Sequence, residues 1–221
     1  MMIIKKTIFL LVVLFYSVNI YSQNETGFQI ARLKYSGGGD WYNDPSAEVN
    51  LLKFVQVHTN IKVNAEYKFV DISSDEIFSY PFLFLTGHGN IVLSTDEAKR
   101  LRTYLENGGF LYIDDDYGMD KAIRREMKKV FPELEFLEVP LDHPVYHQNF
   151  SFSQLPKIHE HDGKRAQGFG LFYNERLVCF YDYESDLSDG WEDESIHNDP
   201  DELRLKALQM GANIISYAFL N

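Results

Sequence analysis

Pro81-Phe-Leu-Phe-Leu-Thr86 and Phe110-Leu-Tyr-Ile113 are the two runs on which the fold turns. Each is short, continuously apolar and free of the alternation that marks a strand with one wet face. That is the pattern of a parallel strand covered on both sides. The first run ends in Gly87-His88-Gly89-Asn90, and the second in Asp114-Asp115-Asp116-Tyr117-Gly118. Between them, Ser94 and Glu97 have the spacing of a capping box. Ala98, Leu101 and Leu105 then recur on one helical face, and Asn107-Gly108-Gly109 stops the helix. Strand, helix and strand in this order form a crossover unit of a parallel sheet.

The same grammar extends outward. Upstream, Phe28 to Tyr35 alternates as a first strand, and Ser36 to Asp44 follows as a loop. Asp44, with Pro45 at the first helical position, reads as the cap of a helix whose inner face is Ala47, Leu51, Val55 and His58. Glu66 to Ile72 is a second, weaker strand. Downstream, a helix from about Met119 to Phe131 turns Ile123, Met127 and Val130 inward and ends at Pro132. Leu134 to Val139 reads as another strand. Phe169 to Tyr173 and Arg176 to Tyr181, joined by Asn174-Glu175, read as a β-hairpin near the C-terminus. Asp182 to Asp199 is a long acidic loop. Asp199-Pro200 opens a last helix with Leu203, Ala207, Met210, Ile214 and Tyr217. The class is α/β: an open, mostly parallel sheet with helices on both faces, in a single domain over 28–221.

Lys5 and Lys6 precede an apolar run from Thr7 to Ile20, and Ser22 is a small residue at a plausible cleavage point. Residues 1–22 therefore read as a signal peptide, with an uncleaved N-terminal anchor as the alternative. The expected location is the periplasm or the exterior, with no stable membrane span after cleavage. The full chain carries a net charge of −12; the leader holds two lysines and no acid, so −14 remains without it. Such a charge repels phosphate backbones and excludes nucleic acid as an expected partner. Cys179 is the single cysteine, so no intramolecular disulfide forms and the fold must rest on its core.

Gly87-His88-Gly89, Gly108-Gly109-Phe110 with Asp114-Asp115-Asp116, Arg124-Arg125-Glu126-Met127, Val130-Phe131-Pro132, Leu141-Asp142-His143-Pro144 and Asp189-Gly190-Trp191 occur in one order along the chain. Together they resemble a bacterial family, domain-of-unknown-function family 4159. The resemblance implies a flavodoxin-like fold of the class I glutamine amidotransferase-like kind. It implies no reaction. In true amidotransferases the elbow after the second of these strands bears a nucleophilic cysteine. Here the matching position is Asp114-Asp115-Asp116. Cys179 lies on an apolar strand and reads as a core residue.

The three aspartates stand just past the carboxyl end of a strand, where open α/β sheets bind ligands. Alternation puts Asp114 and Asp116 to one side and Asp115 to the other. Adjacent carboxylates raise one another's pKa unless a cation or N–H donors compensate. A divalent metal held by Asp114, Asp116 and His88 is one solution. Helix capping by Asp116, with His88 hydrogen-bonded to a carboxylate, is the other. Asp142 and His143 follow the fifth strand and are expected to converge on the same edge. Trp41, in the loop after the first strand, and Trp191 are candidate ligand contacts. His159-Glu160-His161 reads as an exposed loop with a minor metal alternative. Asp182, Glu184, Asp186 and Asp189 read as a solvated acidic loop, with weak calcium binding outside the cell as the minor alternative. Leu187 stands where a calcium loop of the EF-hand type needs glycine.

Two functions follow. One is a non-catalytic cell-envelope binding domain whose strand-end loops contact a partner protein or glycan. The other is a hydrolase that uses the Asp/His cluster, with a divalent metal as its only expected cofactor. No complete nucleophile–base–acid set is legible, which favours the first.

Overall fold

The two apolar runs lie side by side. In the computed structural model, which describes residues 27–220, β3 (Phe82–Leu85) pairs in parallel with β4 (Phe110–Asp114), Phe82 opposite Phe110 and Leu85 opposite Ile113. The leader expected over residues 1–22 lies outside the described residues. On one side of this pair stand β1 (Ala31–Lys34) and β2 (Lys68–Asp71), on the other β7 (Arg176–Tyr183), β6 (Gln167–Tyr173) and β5 (Leu137–Glu138). The order across the seven-stranded sheet is β2-β1-β3-β4-β7-β6-β5. The first five strands run parallel, and β6 and β5 are antiparallel to their neighbours. The class is therefore mixed α/β with a mostly parallel sheet.

Alternation along the central strands sorts side chains into two chemically different faces. Leu83, Leu85, Leu111, Ile113, Cys179 and Tyr181 face α2 (Thr95–Glu106) and α3 (Asp120–Val130). Phe82, Phe84, Phe110, Tyr112 and Phe180 face α1 (Ala47–His58) and α5 (Asp201–Leu220). This second face is aromatic. Phe84 stacks on Tyr112 at 5.4 Å, and the fully buried Trp191 packs 5.6 Å from Tyr112. The period of two also fixes the strand ends: Asp114 continues the Tyr112 face, and Asp182, its partner in register, continues the Phe180 face.

Local capping signals hold where the partner is local. Ser94 and Glu97 form the expected box at the start of α2. The start of α1 differs from its sequence reading. Asp44 is not the cap: it sits at φ 47°, in the left-handed region, and the helix begins at Ala47. The orphan amides of Ser46 and Ala47 donate instead to Oε1 of Glu192, at 2.9 and 3.0 Å. A carboxylate far along the chain thus does the capping, and Asp44 turns inward. The strand read over Leu134 to Val139 shrinks to two exposed residues at the sheet edge, since only one neighbour pairs with it and nothing covers it.

Candidate functional site

Thr86 follows β3, Asp114 closes β4 and Asp182 lies near the end of β7, all at one edge of the sheet. The segment after β7 folds across this edge. It carries a 3₁₀ turn at Asp189–Trp191 and a short helix, α4 (Glu194–His197). It is not the solvated acidic loop of the sequence reading. Asp182, Glu184, Ser185, Asp186, Ser188 and Glu192 are all buried. Leu187 and Trp191 anchor the segment in the aromatic core, which drags the acids between them inward.

Asp116 accepts from Thr86 Oγ1 at 2.8 Å, from Ser188 Oγ at 3.3 Å and from Asn43 Nδ2. Asp44 Oδ2 also lies 3.3 Å from Ser188 Oγ, so one hydroxyl proton serves two carboxylates. Asp114 accepts the Ser188 amide at 2.5 Å, and its other oxygen has no donor. Arg32 brings a positive charge to this cluster: its Nη2 donates to the Asp44 backbone carbonyl at 3.0 Å, and its charge opposes the rise of the Asp44 carboxyl. The same guanidinium is committed to Glu48 and to backbone carbonyls. Asp115 points to the opposite face, as alternation requires. It accepts from the Met119 amide at 2.8 Å, ahead of α3, and from Tyr181 Oη at 3.1 Å. Of the three aspartates, Asp115 is thus the helix-start acceptor, and Asp114 and Asp116 form the cluster.

The electrostatics follow from this packing. Burial, then the charge of Asp189, pushes the Asp44 carboxyl up to about 8. Burial and the neighbouring carboxylates hold Asp114 and Asp116 well above the ordinary range. Burial takes Asp182 to about 7. Burial opposes Asp189 too, but its contacts with His159 and His197 prevail and hold it below the ordinary value. Burial and like charge thus favour the protonated form of Asp44, Asp114, Asp116 and Asp182.

Histidines complete the rim. His88 Nδ1 lies 3.9 Å from Asp116 Oδ2 and 3.1 Å from Asp40 Oδ2, and its side chain is 53 % exposed. Gly87, at φ +139°, makes this approach possible, since a Cβ there would fall 2.3 Å from Tyr35 Oη. His159 and His161, read as an exposed loop, are drawn in. His159 Nδ1 lies 2.8 Å from Asp189 and 3.3 Å from Asp186, which with burial against it still raises that imidazole to about 10. Two sets of donors have the spread of a metal's ligand sphere: Asp44, Asp116 and Asp189, and His159, Asp189 and His197. In each set the ligand atoms lie within 4.8 Å of one another. Asp189 belongs to both.

Other sequence candidates lie elsewhere. After β5 the chain turns back along the aromatic face, so His143 packs 5.2 Å from Tyr217 and 5.9 Å from Phe172, toward the Phe110 end of β4. Asp142 is exposed beside it. Neither joins the cluster. Convergence of all strand-end loops fails here because only two residues of β5 pair, leaving the chain free to reverse. Trp41 packs edge-on against Phe69 at 5.1 Å, below the ammonium of Lys34, and Trp191 is core. The sequence reading missed Asp44, Asn43, Thr86 and Ser188 altogether. A usable signal was present in Leu187 and Trp191, large apolar residues set among the acids.

The fold and this edge define a mixed α/β protein with a cluster of buried carboxylates, ringed by imidazoles, at one edge of its sheet. A family model described as Domain of unknown function (DUF4159) matches residues 29–219, and the chain belongs to that family. No curated protein matches the chain. No helix among the described residues is long and apolar enough to cross a membrane.

Proposed function

We propose that this is an exported cell-envelope binding domain that holds a divalent cation between Asp44, Asp116 and Asp189 and through it binds an anionic group of a protein or glycan. The observation that carries the reading is that convergence, with further buried carboxylates around it and the one nearby guanidinium, that of Arg32, held by both oxygens of Glu48 and by the Asp44 carbonyl. A hard, all-oxygen set suits calcium, magnesium or manganese. A cation there would offset the repulsion that, on top of burial, raises Asp44 and Asp116, and would favour their ionised forms. The signal sequence read over residues 1–22 supports export. The parallel order β2-β1-β3-β4-β7 supports a flavodoxin-like, amidotransferase-like sheet, whose ligands sit at this edge. Asp114 to Asp116 at the elbow, and Cys179 fully buried in mid-sheet opposite Leu111, support a non-catalytic role.

The test is thermal unfolding of chelator-stripped protein with calcium, magnesium or manganese added. At a hundred times its Kd a cation stabilises by about 2.7 kcal/mol, which is on the order of 5–10 °C for a chain of this size. Melts that none of the three cations moves at millimolar concentration would reject the reading.

A second reading, a metal-assisted hydrolase, rests on His88. Its exposed imidazole stands 3.9 Å from Asp116, in reach of a general-base position beside the cation. His88→Ala would then abolish turnover of ester, amide or glycoside substrates and leave the cation response intact. Full turnover in that variant, or none in the parent, removes this alternative.

A further inference from the structure

We propose a second metal position of different chemistry beside the first: His159, His197 and Asp189 form an imidazole-rich site for a transition metal of the zinc type, with Asp189 as the bridge between the two positions. The inference deepens the cation reading and depends on it only through Asp189. Three observations carry it. His159 Nδ1 and His197 Nε2 lie 2.8 and 3.6 Å from opposite oxygens of the same carboxylate, Asp189. The far nitrogen of His159, Nε2, lies 3.2 Å from Asp199 Oδ1. A carboxylate there accepts the Nε2 proton and leaves the Nδ1 lone pair facing the site, the arrangement that orients metal-binding histidines. Finally, Asp186 is 1 % exposed and its Oδ1 has no partner, although its Oδ2 stands 3.3 Å from His159 Nδ1. His161 Nε2 lies 2.6 Å from that same Oδ2 without the alignment of a hydrogen bond. The ligand atoms of His159, Asp189 and His197 also lie within 4.8 Å of one another, a spread that one ion can span.

The two positions would sort metals by softness. Imidazole nitrogens favour zinc, whereas the all-oxygen set of Asp44, Asp116 and Asp189 favours harder ions. His159 and His197 are each about a third exposed, so an ion reaches them from solvent. In the metal-free state the competitor is a proton on His159, held by Asp186, Asp189 and Asp199.

The experiment is a zinc titration of the chelator-stripped full chain, followed by calorimetry, with cobalt(II) absorption as a spectroscopic check. Calcium is added afterwards and followed by melting temperature. The parent should bind one equivalent of zinc. His197→Ala, a partly exposed change that spares the core, should weaken zinc at least tenfold and leave the calcium response unchanged. Asp199→Ala, which removes only the orienting carboxylate, should weaken zinc by about 10–100-fold. Asp116→Asn should do the reverse, keeping zinc and losing calcium. Substoichiometric zinc in the parent, or unchanged zinc affinity in both His197→Ala and His159→Ala, overturns the proposal. Zinc binding with no calcium response upholds this site and sinks the carboxylate reading, so the two fail separately.

Discussion

Two sets of buried acids sit on this sheet and are treated oppositely. Glu126, on α3, is 2 % exposed and fully matched. Its oxygens accept from Lys129 Nζ at 2.6 Å, from the Leu93 amide at 2.7 Å and from Arg125 Nε at 2.6 Å. Burial alone would raise it, yet these donors hold its carboxyl below the ordinary range. Glu48 is likewise clasped on both oxygens by Arg32, although full burial outweighs that partner and raises its carboxyl. At the carboxyl edge, Asp44, Asp114, Asp116 and Asp182 are as deeply buried, face mainly one another, and are raised. A carboxylate kept for architecture arrives with its donors. A group of them left short of donors costs stability, and that cost points to something other than folding.

The contrast can be tested by breaking its matched half first. Glu48→Ala strands the buried guanidinium of Arg32 and should cost about 3–5 kcal/mol, lowering the melting temperature by roughly 10 °C. A shift of only a degree or two would mean that the matched acids matter no more than the unmatched ones.

The unmatched half gives the next largest effect, through pH. For Asp44 the folded value, about 8, lies above the unfolded one, so between about pH 4 and 8 the native state keeps a proton that the unfolded chain has lost. Asp182 does the same up to about 7. His159, raised from 6.5 to about 10, contributes stability below 6.5 that fades as pH rises toward 10. All three signs agree. Chelator-treated protein should lose stability as pH climbs from 4 to 8, by a few kcal/mol at one pKa unit per 1.36 kcal/mol. Saturating cation should flatten that slope. Stability that rises with pH across this window in the chelated protein would break the comparison.

Asp116→Asn sharpens it further. The substitution replaces a buried carboxyl whose ionised form is disfavoured with a neutral amide, while keeping acceptance from Thr86. Once the Asn43 side chain flips, its Oδ1, now without a partner, would accept from the new amide. The metal-free variant should be as stable as the parent or about 1 kcal/mol more stable, with the cation response gone. A loss of several degrees in its melt would mark Asp116 as architectural. The smallest effect belongs to Asp142→Asn, an exposed site away from the cluster, where a change within about 0.5 kcal/mol is expected. Any loss of cation response there would extend the site beyond the edge described.

Much of the scaffold could be read from neighbours in the chain. The continuous runs 82–85 and 110–113 placed two adjacent parallel strands, and the Ser94–Glu97 box placed a helix start, because those patterns depend on residues within a turn or a pleat of each other. The period of two put Asp114 and Asp116 on one side and Asp115 on the other, and His88 was placed beside them by strand order. The same logic failed at Asp44. Asp44-Pro45 carries every local mark of a cap, but Glu192, distant in the chain, takes the amides.

The two buried runs and the side to which each aspartate after β4 turns are thus dictated by spacing along the chain, since hydrogen-bond ladders and helical faces repeat at fixed local periods, whereas the place of β7 beside β4 is not. Whether an acid ends in water or in the interior is another kind of question. It depends on what covers it, and Leu187 and Trp191 seat the segment Asp182–Asp199 over the sheet edge by packing against strands remote in sequence. That burial took a run of acids that reads as solvated into the interior, where Glu192 caps a helix, Asp186 and Asp189 meet histidines and Asp182 is left without a donor. Composition cannot supply this, because desolvation and charge coupling act through space, and only the folded chain sets those distances.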